Sequence, residues 1–355
     1  MTGEAVMGWD LGGAHVKAAL VSAGLVRRVW QRPCPLWQDL GALPQTVADL
    51  TQTAGSPGIH AITMTGELAD VFADRAQGVR ALLDMFGSAV SARRCVVYAH
   101  PARFLTPRGA LRWPLAVASM NWSATAAWVA HRLPDALLLD VGSTTTDLVP
   151  LAAGAMTASG VTDGERLASE ELVYTGVVRT PVMAMAARIP FDGAWHAPMA
   201  EHFATSADIY RLTHELPPGA DQLPSADGAG KSRRESARRL ARMLGRDFEM
   251  ASMIAWEQCA RFVADAQLWS LQQACERVLS RSAMPPRAPI VGAGVGRFLA
   301  KKLARRLLRP YRDFSRLVPS RGADAHWTAS CAPAVAVALL AYSSMRRKAS
   351  ARVGR

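Results

Sequence analysis

The chain has 355 residues, half of them hydrophobic and 20% charged, which excludes a disordered, collagen-like or long coiled-coil protein and predicts more than one folded domain. Lys and Arg number 41 against 29 Asp and Glu, a net charge of +12 that suits nucleic acid, a membrane surface or a small polyanion equally well. The five cysteines, Cys34, Cys95, Cys259, Cys275 and Cys331, form no C-x-x-C pair, the usage of reduced cytoplasmic thiols rather than disulfides or a zinc site.

Residues 5–21 read as two apolar strands joined by a turn at Gly12-Gly13, with Asp10 at the end of the first strand. No basic segment precedes an apolar one there, and the longest apolar run, Cys331 to Tyr342, is too short to span a bilayer, so neither secretion nor membrane insertion is expected. A short strand over 61–65 runs into Gly66-Glu67, and another covers 95–98. Ser123 is the expected cap of a helix running through Trp128 and His131. Residues 136–151 then repeat the opening plan: apolar strand, Asp140, one apolar residue, Gly142, a polar turn and a second strand.

Further along, Leu172 to Val178 reads as a strand ending at Arg179-Thr180-Pro181, and 216–234 as a Pro/Gly/Asp/Ser-rich loop. Helices are predicted from Arg233 to Leu244 and from about Asp247 to Ser280. Ala288 to Gly296 reads as strand, glycine turn and helix start, and Ala332 to Tyr342 as a buried helix. The predicted domains are 1–135 and 136–330, two similar halves facing each other across a cleft, followed by a helix over 331–345 that packs back on the first half and a basic tail over 346–355. Lys301, Lys302, Arg305, Arg306 and Arg309 are expected to form a solvated face, which removes the surplus charge as an argument for nucleic acid.

A hairpin turn built on Asp-x-Gly exposes successive backbone N–H groups and forms a concave anion site, so each repeat is a candidate phosphate hairpin. The first offers Gly12, Gly13, His15 and Lys17; the second offers Gly142, Ser143, Thr144, Thr145 and Thr146. Asp10 and Asp140 end apolar strands, where a carboxylate is costly unless it is paired or holds a cation, and magnesium with phosphate oxygens suits them. Gly292, Gly294 and Gly296 do not fit a dinucleotide fingerprint, whose third glycine would fall at Arg297. Gly230-Lys231-Ser232 lacks the first glycine of a P-loop, which would fall at Ser225, and reads as a loop entering a basic helix. Glu67, just past a strand and a glycine, is the candidate acid/base group, and Arg179 the candidate clamp for a phosphate or carboxylate.

These residues resemble the actin-like ATPase superfamily, with hairpins like Asp10 to Gly13 and Asp140 to Asp147 and an adenosine-type turn like Gly292 to Gly296. Within it the chain is similar to the hydantoinase/oxoprolinase family, on Gly8 to Ala14, Met64 to Asp70, Ala118 to Trp122 and Glu171 to Pro181. His15-Val16 stands where such members usually carry Asn-Thr. The resemblance implies a two-domain α/β actin-like fold. It also implies a place in methanofuran biosynthesis linked to tetrahydromethanopterin one-carbon metabolism: a transferase joining an aminomethyl-furan-methyl diphosphate to γ-glutamyltyramine with loss of pyrophosphate. The partners would be that diphosphate and that phenolic acceptor, with Mg2+ as cofactor and no requirement for ATP. An ATP-dependent cyclic-amide hydrolase or kinase is the first alternative, and a non-catalytic actin-like assembly or nucleic-acid-binding protein the second.

Overall fold

The computed structural model of the protein describes residues 5–353. Contacts divide the chain into two compact units, one of Met1–Pro134, Ala153–Met156 and Asp313–Arg355, the other of Asp135–Ala152 and Thr157–Arg312. The first unit opens with β1 (Val6–Leu11), β2 (His15–Ser22), β3 (Leu25–Pro33), α1 (Ala42–Thr53), β4 (Ile59–Met64) and α2 (Arg75–Ala89). It continues with β5 (Cys95–Ala99), β6 (Arg103–Leu105), α3 (Pro107–Arg112) and α4 (Asn121–Ala130). The second unit starts with β7 (Ala136–Val141) and β8 (Thr146–Ala152); β9 (Ala155–Met156) belongs to the first. Then follow α5 (Asp163–Ala168), β10 (Leu172–Val173), β11 (Ile189–Phe191), β12 (Ala194–His196), α6 (Ser206–Leu212), α7 (Arg233–Met243) and α8 (Met253–Arg281). The chain ends with β13 (Ile290–Ala293), α9 (Arg297–Arg306), β14 (Tyr311–Asp313), α10 (Ala325–Ser330) and α11 (Ala332–Val353).

The sheet of the first unit has the order β3-β2-β1-β4-β5-β6. β1 pairs antiparallel with β2 and parallel with β4, which places Asp10 opposite both Lys17 and Thr63. Every residue of β1 is buried because both faces of the sheet are covered. Met7, Trp9 and Leu11 pack with Leu43, Val47 and Leu50 of α1 and Val79, Leu82 and Phe86 of α2. On the other face α11 lies so close that a Cβ on Gly8 would sit 2.1 Å from the Ala334 carbonyl oxygen, so only glycine fits. In the second unit the order is β10-β8-β7-β13-β14, with β7 antiparallel to β8 and parallel to β13. Its core joins Leu137, Leu139 and Val141 of β7 to Trp256, Val263 and Leu271 of α8 and to Leu299 and Leu303 of α9.

Several expectations need correction. Residues 313–330, expected in the second half, belong to the first unit: Val26 N donates to Pro319 O (2.9 Å), Arg321 N to Val26 O (3.0 Å), and Trp128 Nε1 to Leu317 O (3.2 Å). Ser123 is not a cap, since α4 already starts at Asn121, and Ser123 is buried with its hydroxyl near Tyr98 and the Met156 sulfur. Only Leu172–Val173 of the predicted 172–178 strand is a strand; the rest turns away to make other bonds described below. The long helix begins at Met253, because Ser252 caps it by accepting from Ala255 N, six residues after the expected start. The basic stretch from 346 continues α11 through Val353, with the side chains beyond Arg347 and residues 354–355 outside the described residues.

Other elements match their reading. Ser232 forms a capping box with Glu235 at the start of α7, while Lys231 donates to the Asp221 and Leu223 carbonyls, so Gly230-Lys231-Ser232 is a loop and cap. The face carrying Lys302, Arg306 and Arg309 engages Glu215, Asp265 and the carbonyls of Pro285 and Ala288. All five cysteines are free and buried, and burial pushes the Cys34, Cys95 and Cys259 thiols up to about 11 and Cys275 up to about 12, leaving none of these four a ready nucleophile. No helix of the described residues is long and apolar enough to cross a membrane.

One buried histidine gives the first unit a pH dependence. Trp9 Nε1 donates to His60 Nδ1 (3.0 Å), and burial, then the charge of Arg94, lowers His60 from 6.5 to about 4. The folded state therefore keeps His60 neutral while the unfolded chain takes up a proton below pH 6.5. The associated stability is full above pH 6.5 and is lost as pH falls towards 4, a total of about 3 kcal/mol. Thermal unfolding followed across this window should show a steeper fall in the unaltered protein than in His60→Gln, whose amide oxygen can still accept from Trp9; parallel curves would contradict the assignment.

Candidate functional site

In the first unit the turn after β1 brings Asp10, Gly12, Gly13, His15 and Lys17 together. Asp10 is 3% exposed, and Lys17 Nζ stands 3.6 Å from its Oδ2. Gly12 N donates to His15 O (3.0 Å), and Thr65 N donates to Leu11 O (3.0 Å), so the turn is braced from the neighbouring β4 end. Neither turn glycine has positive φ, contrary to the expectation that backbone angles require them. Gly12 is instead required by contact, since a Cβ would lie 2.9 Å from His15 O; beside Gly13 the space is open. The His15 side chain is buried at the start of β2. Thr63, which sequence reading passed over, shares the Asp10 side of the sheet and buries its hydroxyl with no hydrogen-bond partner among the described residues.

Glu67 sits in a short 3-10 turn, Gly66–Leu68, directly against this hairpin. A Cβ on Gly66 would be 3.1 Å from both Gly12 C and Leu11 O, so the two turns touch backbone to backbone. Glu67 is 1% exposed, and its Oε1 accepts from Ser119 Oγ at 2.8 Å. A buried carboxylate beside an anion-type turn is costly to maintain and is a feature of acid/base sites.

The second unit repeats the bracing. Gly142 N donates to Thr145 O (2.8 Å), and Gly296 N donates to Val141 O (2.8 Å). Ser143, Thr144 and Thr145 are half-buried at the turn, with the Ser143 and Thr144 hydroxyls 3.4 Å apart. Thr146 departs from its expected role: it is fully buried and its hydroxyl donates to Thr175 O (2.7 Å), which makes it a brace rather than a phosphate donor. Asp147 likewise pairs with the buried Arg166 at 2.7 Å. The segment after β10 wraps the turn, with Val177 N bonded to Gly142 O and both Val178 N and Arg179 N bonded to Ser143 O. Gly176 makes that approach possible, because a Cβ there would lie 2.5 Å from Ser143 C and Thr144 N. Gln267 of α8 secures the segment from below, donating to Thr175 Oγ1 (2.6 Å) and Gly176 O (2.8 Å) while accepting from Tyr210. Arg179 follows; burial weakens its charged form, with Tyr174 acting in the opposite sense.

Asp140, 8% exposed, packs against the glycine turn of the same unit. A Cβ on Gly294 (φ +80) would be 2.2 Å from Val141 O and 2.6 Å from Asp140 Oδ1, one on Gly296 would strike Val141, and one on Gly292 the Tyr311 ring. Close packing thus requires glycine at all three positions. Lys17 and Glu67 belong to the first unit, Arg179 and the glycine turn to the second.

Among the described residues no group of three or more His, Cys, Asp or Glu could enclose a metal ion. Asp10 in the first unit and Asp140 in the second are each nonetheless a buried hard oxygen donor of the kind magnesium takes alongside water and phosphate oxygens. Asp10 with its neighbouring Lys17 offers both a cation ligand and a phosphate counter-charge on one strand pair.

The glycine geometry makes a paired prediction. Gly176→Ala drives a methyl into the second hairpin and should cost about 1–3 kcal/mol. Gly13→Ala enters open space without left-handed strain and should stay within about 1 kcal/mol. Chemical denaturation of the two variants checks this, and equal losses would contradict the packing described.

Comparison with known proteins follows this geometry. The hydantoinase/oxoprolinase family profile matches residues 59–340. A relative from Methanocaldococcus jannaschii, named (4-{4-[2-(gamma-L-glutamylamino)ethyl]phenoxymethyl}furan-2-yl)methanamine synthase, is 33% identical over 248 residues, 69% of this chain and 73% of its own. A protein of the same name from Methanococcus vannielii is 34% identical over 116 residues, 33% of this chain and 52% of its own. Among solved structures, nucleotide-free acetone carboxylase superposes with a TM-score of 0.52 at 10% identity, over 95% of this chain and 70% of that one, a likeness of fold alone. The duplicated plan of hairpin plus parallel neighbour strand is the two-domain α/β actin-like ATPase fold. By the extent of the family match and of the archaeal relative, the chain belongs to the hydantoinase/oxoprolinase family.

Proposed function

We propose that the protein is a transferase of methanofuran-type cofactor biosynthesis that joins an aminomethyl-furan-methyl diphosphate to the phenol of γ-glutamyltyramine. The observation that carries this reading is the buried Glu67 set against the Gly12 turn with Lys17 on the adjoining strand, which pairs a proton acceptor with an anion site inside one unit. The name of the archaeal relatives supports it, because a phenoxymethyl-furan product contains the aryl ether such a reaction makes.

The bond that breaks joins the furan methylene carbon to diphosphate oxygen, and its electron pair leaves with pyrophosphate. The bond that forms joins the same carbon to the phenol oxygen, and the phenolic proton passes to Glu67. The furan ring stabilises positive charge on that carbon, so the protein's work is to orient the phenol and to stabilise charge on the leaving group. In the first unit Lys17 is assigned to diphosphate oxygens; in the second the hydroxyls of Ser143, Thr144 and Thr145 are the anion donors that turn offers, and Thr146 is omitted because its proton is committed to Thr175. Arg179 is assigned to the glutamyl carboxylates. Asp10 in the first unit and Asp140 in the second are each a carboxylate that would hold magnesium, which when bound would supply charge neutralisation to the departing pyrophosphate.

Purified protein should release pyrophosphate and form the ether only when diphosphate, acceptor and magnesium are all supplied, and Glu67→Gln should lower kcat by about 100-fold or more. Pyrophosphate release and mass spectrometry of the product measure both. Hydrolysis of ATP coupled to opening of a hydantoin or 5-oxoproline ring, without ether formation, would overturn the reading.

A further inference from the structure

Glu67 is gripped on two sides by groups that no assigned role explains. Its backbone lies under α2 at Gly78, where a Cβ would be 2.3 Å from Glu67 O and 2.7 Å from its Cα. Its side chain receives the Ser119 hydroxyl at 2.8 Å across 52 positions of sequence. Ser119 is itself unusual: it is 4% exposed and holds φ +55, the left-handed region that a serine adopts at a cost. It stands between the buried Ala118 and Met120 and immediately before α4, so the residues on both sides anchor it. Glycine would fit that backbone better, yet glycine has no hydroxyl.

We propose that Ser119 is a positioning residue for the transfer reaction, its strained backbone aiming a hydroxyl at Glu67 Oε1 and fixing the rotation of the carboxylate. This rests on the reading of Glu67 as acceptor of the phenolic proton. A glutamate side chain has three rotatable bonds, a donor fixed in place favours one rotation of its carboxylate, and catalysis is sensitive to misplacement of this size. The hydroxyl also donates to the ionised form, the form able to take the proton.

The test compares Ser119→Ala with Ser119→Gly in the full-length protein. Both remove the hydroxyl, but only glycine releases the left-handed strain, so thermal midpoints should rank Ser119→Gly above Ser119→Ala. The proposal expects both variants to lose about 10- to 100-fold in kcat with KM for the furan diphosphate held within about twofold, so that turnover does not follow stability. If Ser119→Gly keeps unaltered turnover while Ser119→Ala does not, the residue serves the fold alone and the proposal fails. A rise in KM with kcat unchanged would also overturn it. Glu67→Gln, assayed beside them, separates the two readings: if it retains full turnover, the assignment of Glu67 falls and Ser119 falls with it, whereas an inactive Glu67→Gln beside a fully active Ser119→Gly removes only the role of Ser119. Absence of ether product from the unaltered protein sinks both.

Discussion

Both anion-type hairpins depend on one backbone hydrogen bond made twice. The carbonyl one residue past the strand-end aspartate, Leu11 O in the first unit and Val141 O in the second, accepts an N–H from the turn that follows the parallel neighbour strand, Thr65 N and Gly296 N respectively. That bond draws the second turn against the hairpin so tightly that side chains are excluded, and Gly66, Gly294 and Gly296 stand where a Cβ would collide. An unmade bond at such a buried carbonyl would cost roughly 1–3 kcal/mol, which is why the arrangement tolerates so little change.

The repeated frame carries different side chains in its two units. In the second unit the turn beside the hairpin carries Gly294 and Gly296, whose missing side chains let it close on Asp140 and Val141. In the first unit the corresponding turn carries Glu67, a buried carboxylate held by Ser119. The turn beside the hairpin thus carries a carboxylate in the first unit and glycines in the second. The hydroxyls of Ser143, Thr144 and Thr145 at the second turn, with Arg179 beside them, supply donors and positive charge.

The legible part of the fold was the part written in local pattern. Apolar strands broken by Asp-x-Gly turns, the capping box before α7 and the strand-turn-helix around Gly294 are each encoded within a dozen residues. The missed features are set by partners far away in sequence. Leu172 to Val178 has strand composition, yet hairpin carbonyls at Gly142 and Ser143 claim its N–H groups, so pairing stops after Val173. Thr146 looks like one of three equivalent hydroxyls until Thr175 O is seen beside it. Residues 313–330 carry no sign that β3 will bind them, because the bonds from Val26 use backbone atoms that every residue possesses. Ser119 has no signal of its own in the sequence, since left-handed backbone and a contact across 52 positions leave no trace in composition. Glu67 could be found because a lone carboxylate after a strand and a glycine is a recognisable position; its burial could not.

The central claim is that this frame serves carbon–oxygen bond formation at a diphosphate-bearing carbon. Mass spectrometry of products formed from γ-glutamyltyramine carrying heavy oxygen in its phenol tests it most directly. The account predicts the label in the ether product and none in the released pyrophosphate. Label in a phosphorylated phenol, or ATP consumed with no ether formed, would contradict it.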